Sequence, residues 1–211
     1  MDLTEPVVGI LLAGGRSSRM GGGDKCLRPL AGRPILAHII ERLKPQVSDM
    51  IINANGEVAR FAAFGLPVVA DSVAGFAGPL AGVHAGLEWV KANRPGVRYI
   101  VTVATDTPFF PVDLVQRFLA ELKHQPTLLV ARSEEGMHPV IGLWPTVIAP
   151  DLEQSLDQGL RKVGAWTKDH GAVEVFFPPV EIGGRLIDSF FNINESEDLA
   201  EADALLRERS S

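Results

Sequence analysis

Apolar runs of strand length alternate with stretches of helical period along this chain, which predicts parallel strands joined by right-handed helical crossovers. The first run, Val7, Val8, Ile10, Leu11 and Leu12, has no polar alternation and predicts a strand buried on both faces. Pro34 then opens a helix whose apolar face is Ile35, Ile39, Ile40 and Leu43 and which ends before Pro45. Strands follow at 50–54, 67–70 and 98–104, with a short helix at 58–64 between the first two. Asn53, Asp71 and Asp106 fall at the C-terminal ends of these strands, and Gly14 follows the first. In an open α/β sheet, ligands sit outside those ends, where the loops converge on the crevice at which strand order reverses.

The second half changes character. Runs at 127–132 and 140–144 flank Ser133-Glu134-Glu135-Gly136 and read as a hairpin, so the parallel sheet gains an antiparallel member. Helical patterns at 147–156 and 160–168 precede strands at 172–177 and 190–193. A charged helix at 196–209 turns Leu199, Ala202, Leu205 and Leu206 inward. The segment Asn194-Glu195-Ser196-Glu197 has the spacing of a capping box at its start. Trp89, Trp144 and Trp166 lie in apolar contexts and read as core. Neither an internal repeat nor a low-complexity segment is visible.

Chemistry enters after the first strand, where VVGILLAGGRSSRMGGGDK passes from an apolar run into a glycine-rich loop carrying Arg16, Arg19 and Lys25. Glycines let backbone N–H groups approach a phosphate or base edge, and the three cations suit a triphosphate. Two familiar loops are excluded by spacing. Lys25 lies between Asp24 and Cys26, without the preceding Gly and following Ser or Thr of a Walker loop. Gly14 and Gly15 are adjacent and the next glycine is Gly21, so the GxGxxG dinucleotide rhythm is absent.

At 211 residues with 46% hydrophobic content the chain suffices for one α/β domain, and no Pro- or Ser-rich linker divides it. A net charge of −6 argues against a nucleic-acid or anionic-membrane surface. Asp2 and Glu5 replace the basic start of an export signal, and no apolar stretch approaches the roughly 20 residues of a bilayer span. The only cysteine, Cys26, excludes an internal disulfide and fits a reducing cytoplasm. No His or Asn lies near it to complete a catalytic dyad, so it reads as a packed residue.

Five segments in order, LLAGGRSSRMGGGDK, DSVAGFAGPLAGVHAGL, ATDTPFF, GMHPVIGLW and FFNINESEDLAEA, resemble the molybdenum cofactor guanylyltransferases and span nearly the whole chain. The resemblance implies a Rossmann-like nucleotidyltransferase fold, three-layer α/β/α with a mostly parallel mixed sheet. It implies that the terminal phosphate of molybdopterin attacks the α-phosphorus of GTP, forming the guanine dinucleotide cofactor and pyrophosphate. Such a transfer needs positioning and charge neutralisation rather than a protein nucleophile. By the same resemblance, Leu12, Ala13, Gly14 and Gly15 line the base and phosphates, Lys25 binds the triphosphate, and Asn53 and Asp71 hold the guanosine. Arg19 neutralises charge during transfer, and Asp106 is the ligand of a magnesium ion that needs only one or two protein carboxylates. Thr105 stands where the family usually has a small Cys or similar residue.

Gly14-Gly15 and the motif Gly78-Pro79-Leu80-Ala81-Gly82 resemble guanylyl members, whereas cytidylyl relatives carry Ala-Ala-Gly; GTP is expected over CTP. Arg132, His138, Pro139, Asn192 and Asn194 match the family's second-substrate segments. Two readings stay open for His138, a pterin contact or local satisfaction, and two for Asn194, a pterin contact or the helix cap. The family often has Thr-Pro where Glu195-Ser196 stand here. A cytidylyltransferase, a sugar-1-phosphate nucleotidyltransferase or a non-enzymatic cofactor carrier are the competing readings. Transient contact with molybdoenzymes or their chaperones is expected of a reactive product that must reach an apoenzyme.

Overall fold

The protein is described by a computed structural model over residues 5–14, 24–71, 78–122 and 125–208. β1 (Val7–Leu12) is followed by a small hairpin, β2 (Pro29–Leu30) and β3 (Arg33–Pro34), then by α1 (Ile35–Leu43), β4 (Asp49–Asn53) and β5 (Val68–Val69). Next come α2 (Pro79–Asn93), β6 (Tyr99–Ala104), α3 (Leu114–Ala120), β7 (Leu129–Ser133) and β8 (Gly136–Pro145). The chain continues through α4 (Ala149–Asp157), α5 (Val163–Asp169), β9 (Val173–Phe176), the hairpin β10 (Val180–Ile182) and β11 (Arg185–Ile187), and α6 (Ser196–Glu208).

Seven strands form one sheet in the order β5-β4-β1-β6-β8-β7-β9. β4, β5 and β6 run parallel to β1, while β8 is antiparallel to both β6 and β7, so the mixed sheet expected from the hairpin is present. The apolar run of β1 is buried on both sides because successive side chains feed two cores. Val7 and Leu11 join a core with α1, α3 and α6; Val8 and Ile10 join another with α2, α4 and α5. Trp144 and Trp166 are fully buried in the second core, with rings stacked at 5.8 Å, whereas Trp89 at its margin is half-buried.

α2 has no counterpart in the periodicity of the sequence. Nine of its residues, Leu80 to Leu87 and Val90, are buried, so its apolar positions do not repeat at a helical interval. Its glycines set its depth: a Cβ on Gly86 would stand 2.8 Å from Ile10 Cγ1, and one on Gly82 would stand 2.2 Å from Asn53 Oδ1. The helix thus lies closer to β1 and β4 than any larger residue permits.

Two expectations are corrected. Residues 190–193 are not a strand; Phe190 lies in a turn closed by Phe191 N–H to Asp188 O at 3.1 Å, and 191–193 have no sheet partners, with Ile193 N–H bonded to Asp106 O at 2.9 Å. The capping box is shifted by one residue: Asp198, not Glu197, reaches back, its Oδ2 accepting the N–H groups of Asn194 at 2.7 Å and Glu195 at 2.8 Å. α3 and the β10–β11 hairpin also escape the sequence pattern, the first through its shortness and the second because its three-residue strands on either side of Gly183-Gly184 are too short to show alternation.

Candidate active site

The strand order reverses between β1 and β6: the chain leaves β1 for β4 and β5 on one side, then crosses by α2 to β6 on the other. The crevice outside the carboxyl ends of these two strands is the ligand position of an open α/β sheet. Its floor is tied together by short bonds. Ala13 N–H reaches Asn53 O at 2.9 Å, and Thr105 Oγ1 donates to Leu12 O at 3.1 Å. Gly14 stands exposed above them.

Lys25 opens a single 3-10 turn, Lys25–Leu27, anchored by buried Cys26. Its Nζ lies 2.9 Å from Asp106 Oδ2 and 2.9 Å from Asn194 Oδ1. Asp106 follows β6, and Thr107 Oγ1 donates to its other oxygen at 3.3 Å. One ammonium therefore joins the Lys25–Leu27 turn, the acidic strand end and the C-terminal segment. No group of three or more His, Cys, Asp or Glu among the described residues forms a metal-holding cluster.

On the other side of β1, Asn53 is buried at the end of β4 and donates to Val69 O at 3.1 Å and Asp71 Oδ1 at 3.0 Å. Asn55 Nδ2 donates to Asp71 Oδ2 at 2.7 Å, and Asp71 N–H returns to Asn55 Oδ1 at 2.9 Å. Both carboxylate oxygens of Asp71 are thus held by amides, each keeping a lone pair for a hydroxyl or a base N–H. Gly78 precedes α2, with Pro79 and Leu80 in its first turn; Ala81 N–H bonds Gly78 O at 3.2 Å.

The candidates for the second substrate are not gathered equally. Asn194 belongs to the Lys25–Asp106 cluster, and its side chain is free for it because Asp198 serves the start of α6. Asn192 is exposed on the same segment, two residues before Asn194 and separated from it by buried Ile193. The His138 ring packs against Phe190 at 4.7 Å with the planes tilted by 45°, and its Nε2 lies 2.8 Å from Ser133 Oγ. Its pKa is lowered by burial, against the opposing pull of Asp188 and Glu135, which favours the neutral ring. Arg132 turns to the sheet edge, pairing with Glu174 at 2.6 Å rather than with the crevice. Pro139 lies against α5 beside Gly164, where even an added Cβ would meet it at an ordinary contact distance of 3.6 Å.

Gly15, Arg16 and Arg19 lie outside the described residues. Cys26 is 2% exposed, and burial, then the Asp24 charge, push its pKa up to about 12; its thiol stays protonated and packs beside Thr105. Asn55 carries no assignment in the sequence, and Gly82 stands there only as the end of the Gly78–Gly82 motif, without its close approach to Asn53. The Asn at the end of an apolar run was the available signal for Asn55, and a helical reading of residues 79–93 for Gly82.

Fold and site together define a nucleotidyltransferase of the Rossmann-like, mixed-sheet class. A family model for the MobA-like NTP transferase domain matches residues 9–172. The chain belongs to that family. It is 50% identical over 204 residues to a molybdenum cofactor guanylyltransferase of Bradyrhizobium sp. (strain ORS 278), covering 96% of this chain and 94% of that one. Identity to the Mesorhizobium japonicum molybdenum cofactor guanylyltransferase is 47%, over 97% and 98% of the two chains. The fold is shared with the crystal structure of molybdopterin-guanine dinucleotide biosynthesis protein A from Archaeoglobus fulgidus, at a TM-score of 0.73 and 20% identity, covering 95% of this chain and 99% of that one.

Proposed function

We propose that this protein transfers the guanylyl group of GTP to the terminal phosphate of molybdopterin. A phosphate oxygen of molybdopterin bonds to the α-phosphorus of GTP, the bond from that phosphorus to the bridging oxygen breaks, and pyrophosphate leaves with the electron pair. The observation that carries the reading is the three-way contact of Lys25 with Asp106 and Asn194 at the sheet's reversal point, in a chain of the MobA-like family.

Each part of the crevice has work suited to it. Leu12, Ala13 and Gly14 offer backbone to the base and phosphates, Asn53 and Asp71 hold the nucleoside, and the Gly78-Pro79-Leu80 entry to α2 closes that side. Lys25 exchanges its protein acceptors for phosphate oxygens when the triphosphate arrives, and Arg19 and Gly15 act with it. Asn192 and Asn194 meet the second substrate, while Arg132, His138 and Pro139 are outer candidates along the same edge. His138, neutral and held by Ser133, orients a ligand rather than carrying charge.

The donor set fits magnesium. A lone carboxylate beside a phosphate site suits an ion that keeps most of its waters and takes its remaining ligands from substrate. Asp106 would hold it, and bound magnesium supplies charge neutralisation for the departing pyrophosphate. We further read the chain as one nucleotidyltransferase domain acting in the cytoplasm, with transient contacts to molybdoenzymes or their chaperones; among the described residues no helix is long and apolar enough to cross a membrane.

The test is GTP-dependent conversion of molybdopterin with Lys25→Ala and Asp106→Ala. Each variant should lose more than about 100-fold in rate while melting as a folded protein. Full activity in Asp106→Ala would reject the metal assignment. Larger thermal stabilisation by CTP or UTP than by GTP would reject guanylyl transfer.

A further inference from the structure

Arg60 lies outside every segment that carries the family resemblance, yet it joins the two halves of the nucleotide site. It sits in the 3-10 turn Val58–Phe64, which fully buried Phe61 fixes to the core. Its guanidinium lies 4.5 Å from the Phe61 ring. From that anchored position Nε lies 2.5 Å from Asp24 Oδ2 as an ion pair without an aligned hydrogen bond, while Nη2 donates to Asn55 O at 2.7 Å and Nη1 donates to Glu57 O. Gly56, at φ +83°, makes the bend between the two accepting carbonyls.

The two ends of this fork lead to different parts of the substrate. Asp24 directly precedes Lys25, and its carbonyl starts the Lys25–Leu27 turn by accepting Leu27 N–H at 3.1 Å. Asn55 holds Asp71 through both its amide nitrogen and its oxygen, and Asp71 holds Asn53. Arg60 and Asp24 are each only 23% exposed, so this is a partly desolvated pair rather than a solvated surface contact. A planar guanidinium can donate to fixed carbonyls through its terminal nitrogens while its charge meets a carboxylate on another side, which a Lys ammonium cannot do at set angles.

We infer that Arg60 is a positioning residue that fixes the distance between the triphosphate-binding Lys25 and the nucleoside-holding Asp71. This rests on the guanylyltransferase reading of the site. A nucleotide held at both ends gains affinity from half-sites preset at the right separation. Loosening the link leaves each half intact but lowers affinity for the joined molecule, and it misplaces the α-phosphorus.

The experiment titrates GTP, guanosine and inorganic tripolyphosphate separately, each with magnesium, into wild type, Arg60→Met, Asp24→Asn and the double variant, with thermal melts alongside. GTP affinity should fall about tenfold in either single variant, and no further in the double, because both cut the same link. Guanosine and tripolyphosphate should each change less than about twofold, a split that general loss of structure does not produce. Arg60→Lys should restore GTP affinity only in part. Should Arg60→Met fail to fold, Asp24→Asn carries the test, since it removes a charge at constant shape. Unchanged GTP affinity in Asp24→Asn, or a tripolyphosphate loss as large as that for GTP, overturns the inference while wild type binds GTP normally. Absence of GTP uptake by wild type overturns the functional reading itself.

Discussion

Lys25 Nζ donates to Asn194 Oδ1 at 2.9 Å across a sequence separation of 169 residues. The same nitrogen pairs with Asp106 Oδ2 at 2.9 Å, so one cation joins the end of β6 to the segment before α6. The contact is available because Asn194 does not cap α6.

That division of labour predicts opposite outcomes at neighbouring positions. Asp198→Ala removes the acceptor for two N–H groups at the start of α6 and should cost about 1 kcal/mol. For a chain of this size this is a fall of about 2–4 °C in Tm. Asn194→Ala should leave Tm nearly unchanged and raise KM for molybdopterin. Thermal melts and steady-state kinetics separate the two; a larger Tm loss in Asn194→Ala would return the capping role to Asn194.

Gly82→Ala sets helix propensity against packing. Alanine gains about 1 kcal/mol in a helix interior, but its Cβ would stand 2.2 Å from Asn53 Oδ1 and 2.8 Å from Leu12 Cδ2. Overpacking at a buried contact costs about 1–3 kcal/mol, so the clash wins. Tm should fall, and displacement of Asn53 from Asp71 should weaken GTP binding several-fold. A variant with raised Tm and normal GTP affinity would show that α2 can move away freely.

His138 makes stability fall on the acid side. Burial lowers its folded pKa below the ordinary 6.5, so below about that pH the unfolded chain binds a proton that the folded chain resists. Stability contributed by the neutral ring is present above pH 6.5 and is lost as pH falls through the lower folded value. Urea unfolding across this window should show a shallower acid decline in His138→Gln than in wild type. Parallel curves for the two proteins would remove His138 as the cause.

Cys26 should be inert to thiol reagents. A thiol 2% exposed and with its pKa pushed up to about 12 presents almost no thiolate at pH 8. DTNB should release no colour from folded protein within the time that fully labels it in guanidinium. Rapid labelling of native protein would place Cys26 at an open surface.

The chain's own pattern determined the central sheet and its ligand edge. Short apolar runs rich in β-branched residues, such as Val7–Leu12, read as strands covered on both faces, and the polar residue closing each run marks the carboxyl end where ligands gather in open α/β sheets. Asn53, Asp71 and Asp106 were legible for that reason and Lys25 through the glycine-rich loop after β1, and the segments of family resemblance gave them their expected chemistry. What the pattern lacked is what depends on contacts between distant residues. α2 is buried on nearly all sides, so it sends no amphipathic signal, and its close approach to Asn53 depends on the sheet already being in place. The 190–193 segment has strand-like residues but finds no ladder, because its N–H groups are spent on partners such as Asp106 O. Whether Asn194 caps a helix or meets Lys25 turns on a one-residue shift in where α6 begins. Arg60 carries no local signal at all: its meaning lies in joining Asp24 to Asn55, two points that only folding brings within the reach of one guanidinium. Local pattern reports burial and turns, whereas the spacing between charged groups is fixed by three-dimensional packing.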